Sequence, residues 1–162
     1  MPPEHPETPD LICLSHLRWN FVFQRPQHLL TRCAAESRVF YVEEPFFDAP
    51  DRPELHLERS GNVTVVVPHL PPGDSDAENC ATLRRLMDNL LLRQQITDYV
   101  LWYYTPMALG FTDHLTPLAI VYDCMDELSA FAHAPASLKV REAELLGRAD
   151  LVFTGGQAVY EP

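Results

Sequence analysis

The chain has 162 residues, with 23 Asp plus Glu against 12 Lys plus Arg, and a net charge of −11 with histidine neutral. That length supports one domain whose folding buries about two-thirds of the unfolded surface. An acidic body excludes general nucleic-acid binding and simple adsorption to anionic lipid, because both need compensating cations; a small local basic site stays open. The cysteines at 13, 33, 80 and 124 form neither a CxxC pair nor a zinc spacing, so they read as thiols in a reducing cytosol. The start Met1-Pro2-Pro3-Glu4-His5-Pro6 is not a secretion signal, and no run approaches 18 apolar residues. The expectation is a cytoplasmic protein with no membrane span.

Residues 1–9 hold four prolines and two glutamates and read as a disordered leader. Asp10 to Ser15 (DLICLS) reads as a short buried strand. A loop follows over 16–25. Pro26 suits the first turn of a helix, where its missing N–H costs nothing. Leu29, Leu30, Cys33 and Ala34 then recur at helical spacing. Arg38 to Glu43 (RVFYVE) is a second strand. Leu55 to Glu58 alternates as a short edge strand does, and Val63 to Val67 is a β-branched strand. Ser75 and Glu78 match a capping box at the head of the longest helix, whose apolar face carries Leu83, Leu86, Met87, Leu90 and Leu91.

Tyr99 to Tyr104 (YVLWYY) is another buried strand, and Pro106 opens a short helix or turn. Leu118 to Asp123 (LAIVYD) is a strand too, followed by one helical turn over Asp126 to Ala130. Ser137 is the predicted N-cap of a helix that buries Leu138, Leu145 and Ala149. Leu151 to Thr154 (LVFT) is the last strand, and a final helix begins at Gln157. Strands alternating with helices, and strands that are apolar throughout, imply a Rossmann-like α/β domain. Its parallel sheet has five or six main strands and helices on both faces.

In such sheets, ligands bind beyond the carboxyl ends of the strands. Three segments sit there. The first, from Ser15 to His28, concentrates His16, Arg18, Trp19, Gln24 and Arg25 ahead of a helix N-terminus, which favours anions. Arg18 and Arg25 could grip a phosphate or carboxylate, and Trp19 and Phe21 could wall a sugar face or a lipid stem. The competing reading has the aromatics packing the loop and the arginines paired with local carboxylates. Arg25→Ala is expected to weaken binding of an anionic ligand and to leave the fold intact.

The second segment gathers Asp123, Asp126 and Glu127 at the end of LAIVYD. Close carboxylates raise one another's pKa and can supply a general acid or base, or hold a divalent cation. Equally, Asp126 can cap a helical turn while Glu127 faces water. The third is Gly155-Gly156, where a backbone could approach a ligand. No histidine falls at metal-ligand spacing, and no GxGxxG loop is present.

The runs SHLRWNFVFQRPQHLLTRCA, RVFYVEEP, LWYYTP, IVYDCMDELSAF and ELLGRADLVFTGG resemble, in order and spacing, the N-terminal half of bacterial glycosyltransferases with two Rossmann domains, the GT-B class. The likeness spans about Asp10 to Tyr160. It implies an acceptor-side domain over 10–162 and transfer of a sugar from a nucleotide-sugar donor to an acceptor hydroxyl, with no tightly bound metal and no organic cofactor. It implies a catalytic set drawn from Asp123, Asp126 and Glu127. It also implies substrate binding by His16, Arg18, Trp19, Gln24, Arg25, Gly155 and Gly156.

The implied partners are the donor and a sugar or lipid-linked acceptor. The sequence ends at Pro162, where such enzymes continue into a donor-binding domain. The chain alone is therefore expected to be inactive, with its open cleft face prone to self-association. The alternative is a non-catalytic α/β binding or interaction module. A receiver-like domain fits worse: the first strand ends in Ser15-His16 rather than in acids, and the single lysine, Lys139, lies on a predicted helix.

Overall fold

The computed structural model of the chain describes residues 8–20, 25–125 and 136–154. In chain order the elements are β1 (Asp10–Leu14), α1 (Arg25–Cys33), β2 (Val39–Val42), β3 (Glu54–Ser60), β4 (Val63–His69) and α2 (Asp76–Arg93). They continue with β5 (Tyr99–Tyr103), a 3-10 turn (Pro106–Ala108), α3 (Leu109–Thr112), β6 (Ala119–Cys124), α4 (Ala136–Arg148) and β7 (Leu151–Thr154). The strands form one seven-stranded sheet in the order β3-β4-β2-β1-β5-β6-β7. All neighbours are parallel except β3 and β4. The fold is Rossmann-like α/β, as the alternation of strands and helices predicts.

The expected five or six strands become seven because β3 is longer than the LHLE segment and joins the edge as one arm of a hairpin. Ser60 opposes Val63, so the turn holds only Gly61 and Asn62. Gly61 takes a φ of 60°, the conformation a two-residue hairpin turn needs and one that a side chain disfavours. A connection this short admits only antiparallel pairing.

The central strands are apolar throughout because both of their faces are covered. Ile12 and Leu14 point to one side and join Met87 and Leu90 of α2, Leu109 of α3 and Leu145 of α4. Leu11 and Cys13 point to the other and join Leu30 of α1, Trp19 and Tyr41. Burying a large aliphatic side chain of this kind contributes about 1.5–3 kcal/mol.

Helix α2 runs for 18 residues and starts where the capping box puts it: the Ser75 hydroxyl accepts from the Glu78 N–H at 3.2 Å. Ser75→Ala is expected to lower stability by about 1 kcal/mol in urea unfolding, with the spectroscopic helix content nearly unchanged. Ser137 lies inside helix α4 (Ala136–Arg148) rather than at its cap; Leu138 and Leu145 are buried as expected. All four cysteines are free thiols. Among the described residues, no helix is long and apolar enough to cross a membrane. The expected turn over 126–130 and the final helix from Gln157 lie outside the described residues.

Candidate functional site

The chain runs outward from β1 through β2 to β4 and its hairpin partner. It then returns to the other side of β1 with β5, β6 and β7. The order therefore reverses between β1 and β5, and a crevice opens beyond their carboxyl ends. A cleft of about 550 Å³ occupies that place on the α2–α4 side of the sheet. Its floor is Leu14 and Ser15 after β1, Val42 at the end of β2 and Thr105 after β5. Glu43, Glu44 and Phe47 form one wall; Asp76 and Asn79 of α2, Met107, Phe111 and Arg141 of α4 complete it.

The loop after β1 is held by a set of contacts spread over three elements. Arg18 Nη1 lies 3.1 Å from Glu43 Oε1 and donates to the Glu44 carbonyl at 2.6 Å. Its guanidinium sits 3.9 Å from the centre of the Phe46 ring. The second Glu43 oxygen accepts the Trp19 backbone N–H at 2.9 Å. The Trp19 indole N–H donates to Ser60 Oγ at 3.0 Å, and the ring meets Tyr41 edge-on at 4.9 Å. Tyr41 Oη donates to the Leu17 carbonyl, and the Gln27 amide donates to the Trp19 carbonyl. Arg18 and Trp19, read from the sequence as ligand-binding candidates, thus brace the loop. His16 lies half-buried in the same turn.

On the α1 side of the same strand ends sits a second cluster. Asp123, at 0% exposure near the end of β6, accepts from Arg25 Nε at 3.1 Å, on a side chain 39% exposed. This is the only hydrogen bond of Arg25 among the described residues, and it leaves the terminal nitrogens unused by any of them at the N-terminus of α1. Asp123 Oδ1, Tyr104 Oη and Trp102 Nε1 are buried with no hydrogen bond of regular geometry among the described residues. Burial pushes the Asp123 carboxyl up from its ordinary value, and the Arg25 charge beside it pulls it part of the way back. Burial also pushes the Tyr104 hydroxyl well up.

Of the sequence-predicted residues, the fold brings Arg25 and Asp123 together across 98 positions. It places His16, Arg18 and Trp19 in the neighbouring loop. Gln24, Asp126, Glu127, Gly155 and Gly156 lie outside the described residues. Glu43, Glu44, Thr105 and Arg141 went unnoticed in the sequence. The signal for the first three was available: Glu43 closes a predicted strand and Glu44 and Thr105 follow directly on one, where crevice residues fall. Among the described residues, no group of three His, Cys, Asp or Glu side chains could hold a metal ion.

The strand order and the crevice put the chain in the class of Rossmann-like α/β domains with a switch-point cleft. No family model matches the chain, and no curated protein does. Solved structures do, and trehalose-phosphate synthases are among them. A trehalose-6-phosphate structure from E. coli, bound with UDP-2-fluoro glucose, superposes with a TM-score of 0.60 at 13% identity, over 93% of this chain and 41% of that one. The UDP-forming α,α-trehalose-phosphate synthase of Burkholderia vietnamiensis gives 0.56 at 13%, over 96% and 42%. That of Burkholderia xenovorans, in complex with glucose-6-phosphate, gives 0.51 at 14%, over 88% and 39%. At such identity the likeness is one of fold, and the chain spans about two fifths of the length of these proteins.

Proposed function

We propose that this domain is the acceptor-side part of a glycosyltransferase that uses a nucleotide-sugar donor. The observation that carries the reading is the cleft at the β1/β5 switch point, on a fold shared with proteins whose solved structures contain UDP-2-fluoro glucose or glucose-6-phosphate. In the proposed reaction an acceptor oxygen bonds to the anomeric carbon of the donor sugar while the bond from that carbon to the diphosphate breaks. The acceptor proton leaves to a carboxylate or to the departing diphosphate.

Negative charge grows on the diphosphate, and stabilising it is the largest electrostatic task of such a site. Arg25 is suited to it: its terminal nitrogens bond to none of the described residues, and it stands in the first turn of α1, whose N-terminus favours anions. Asp123 takes the role of holding that guanidinium in place. Asp126, Glu127, Gln24, Gly155 and Gly156 remain proposals for the same site by family resemblance, and His16 for its rim. Donor binding is assigned to a second Rossmann domain.

The test is a thermal-shift titration of the chain with UDP, UDP-glucose and simple sugars, repeated with a donor-binding domain supplied in trans while assaying transfer. A rise in Tm with a simple sugar for the chain alone, and a rise with nucleotide sugar together with transfer only when both parts are present, is the expected result. No shift and no transfer in either arrangement would reject the enzyme reading in favour of a non-catalytic interaction module.

A further inference from the structure

The cleft's charge says what kind of acceptor it takes. Three carboxylates line it, Glu43, Glu44 and Asp76, against one guanidinium, Arg141. Two of these are already matched: Glu43 by Arg18 at 3.1 Å, and Arg141 by Glu144 at 3.4 Å. Glu44 and Asp76 are left over, and the Glu44 side chain makes no hydrogen bond among the described residues. Desolvation raises its carboxyl from the ordinary value, and the Arg18 charge pulls the other way. The N-terminus of α2, which could have drawn an anion in, is spent on its own residues: Ser75 caps it, and Asp76 and Glu78 occupy the first turn.

An added phosphate would therefore meet two exposed carboxylates at the cleft mouth, neither in an ion pair among the described residues, and its repulsion there is screened by salt. Hydroxyl groups fit the same wall, since an ionised carboxylate can only accept and a sugar hydroxyl can donate. Phe47, 52% exposed, and Met107, 37% exposed, offer apolar surface for the C–H faces of a sugar ring.

We propose that the switch-point cleft takes a neutral, polyhydroxylated acceptor, a sugar or glycoside without phosphate, unlike the glucose-6-phosphate held by the B. xenovorans protein. The inference rests on the glycosyltransferase reading and specifies its acceptor.

The experiment is saturation-transfer NMR and calorimetry on the full chain with matched pairs. These are methyl α-glucoside with glucose 6-phosphate, methyl α-mannoside with mannose 6-phosphate, and methyl α-galactoside with galactose 6-phosphate. In at least one pair the neutral glycoside should bind tenfold or more tightly than its phosphate, and the gap should narrow as salt rises. Glu44→Gln should shrink the gap, and Glu44→Lys should close or reverse it, with Tm unchanged because that side chain holds nothing in place. A phosphate that binds as tightly as its neutral partner overturns the inference and leaves the glycosyltransferase reading standing. If no member of any pair binds, the inference and the assignment of the cleft to an acceptor fall together.

Discussion

Arg25→Ala is expected to cost roughly 2–3 kcal/mol of stability at neutral pH. That is less than the 3–5 kcal/mol of breaking a fully buried pair, because Arg25 is 39% exposed and water already screens part of its charge. The loss is large because of what stays behind: an Asp123 carboxylate at 0% exposure that has lost its one charged partner and keeps only the neutral Tyr104 hydroxyl and Trp102 indole beside it. The sequence alone suggested that this substitution would spare the fold, and the burial of its partner reverses that expectation.

Two controls separate the cause from simple loss of packing. Adding Asp123→Asn to Arg25→Ala should return much of the stability, since the uncompensated charge is gone. The cost should also depend on pH. Asp123 has a folded pKa above its ordinary value of 3.8, and without Arg25 it rises further. A carboxyl whose folded pKa is raised destabilises the fold fully above that pKa. The penalty fades as pH falls through it and vanishes below the unfolded value. Urea unfolding of the variant between neutral pH and about pH 4 should therefore show its deficit shrinking. A deficit that stays constant with pH would mean that Arg25 contributes through its aliphatic stem and that the pair is incidental.

The sheet was legible in the sequence because its central strands are covered on both faces. RVFYV and YVLWY can only be stable as continuous apolar runs where helices lie above and below, and α1 and α2–α4 supply that cover. The long helix was legible because its cap and its apolar stripe are local signals. The direction of β3 was less visible, since LHLE by itself is only an edge strand; the Gly61-Asn62 turn that reverses the chain lies beyond the alternating residues.

The site was harder for a different reason. A side chain's role depends on its partner, and the partners here are remote. Arg18 looked like an anion-binding residue because nothing within a few positions neutralises it. Glu43, 25 residues on, does so. Arg25 and Asp123 were each recognised as chemically unusual, yet their pairing depends on β6 lying two strands from β1. Sequence pattern shows which residues stand at strand ends; only the strand order shows which ends are neighbours.

Trp19→Ala is expected to have the largest effect of any single change in the loop, about 3–5 kcal/mol, the range for truncating a buried large aromatic residue. Trp19 is 7% exposed, packs edge-on against Tyr41 and closes the core cluster that contains Leu30 and Val65. It also ties the loop after β1 to the β3 end of the sheet through Ser60. Trp19→Phe should retain most of the packing and lose that hydrogen bond, costing on the order of 1 kcal/mol.

The two variants distinguish a brace from a ligand wall. A Trp19 that served mainly as a sugar platform would leave the unfolding midpoint nearly unchanged on truncation and weaken sugar binding instead. A brace does the reverse at first order. Trp19→Phe should bind sugars as the parent chain does, because the loop and the Glu43 carboxylate it supports stay in place. Trp19→Ala should unfold at much lower urea and lose binding only to the extent that the loop loosens. The decisive comparison is chemical denaturation of both variants alongside sugar titration. Equal stability of Trp19→Ala and the parent would overturn the bracing role and restore Trp19 to the ligand surface.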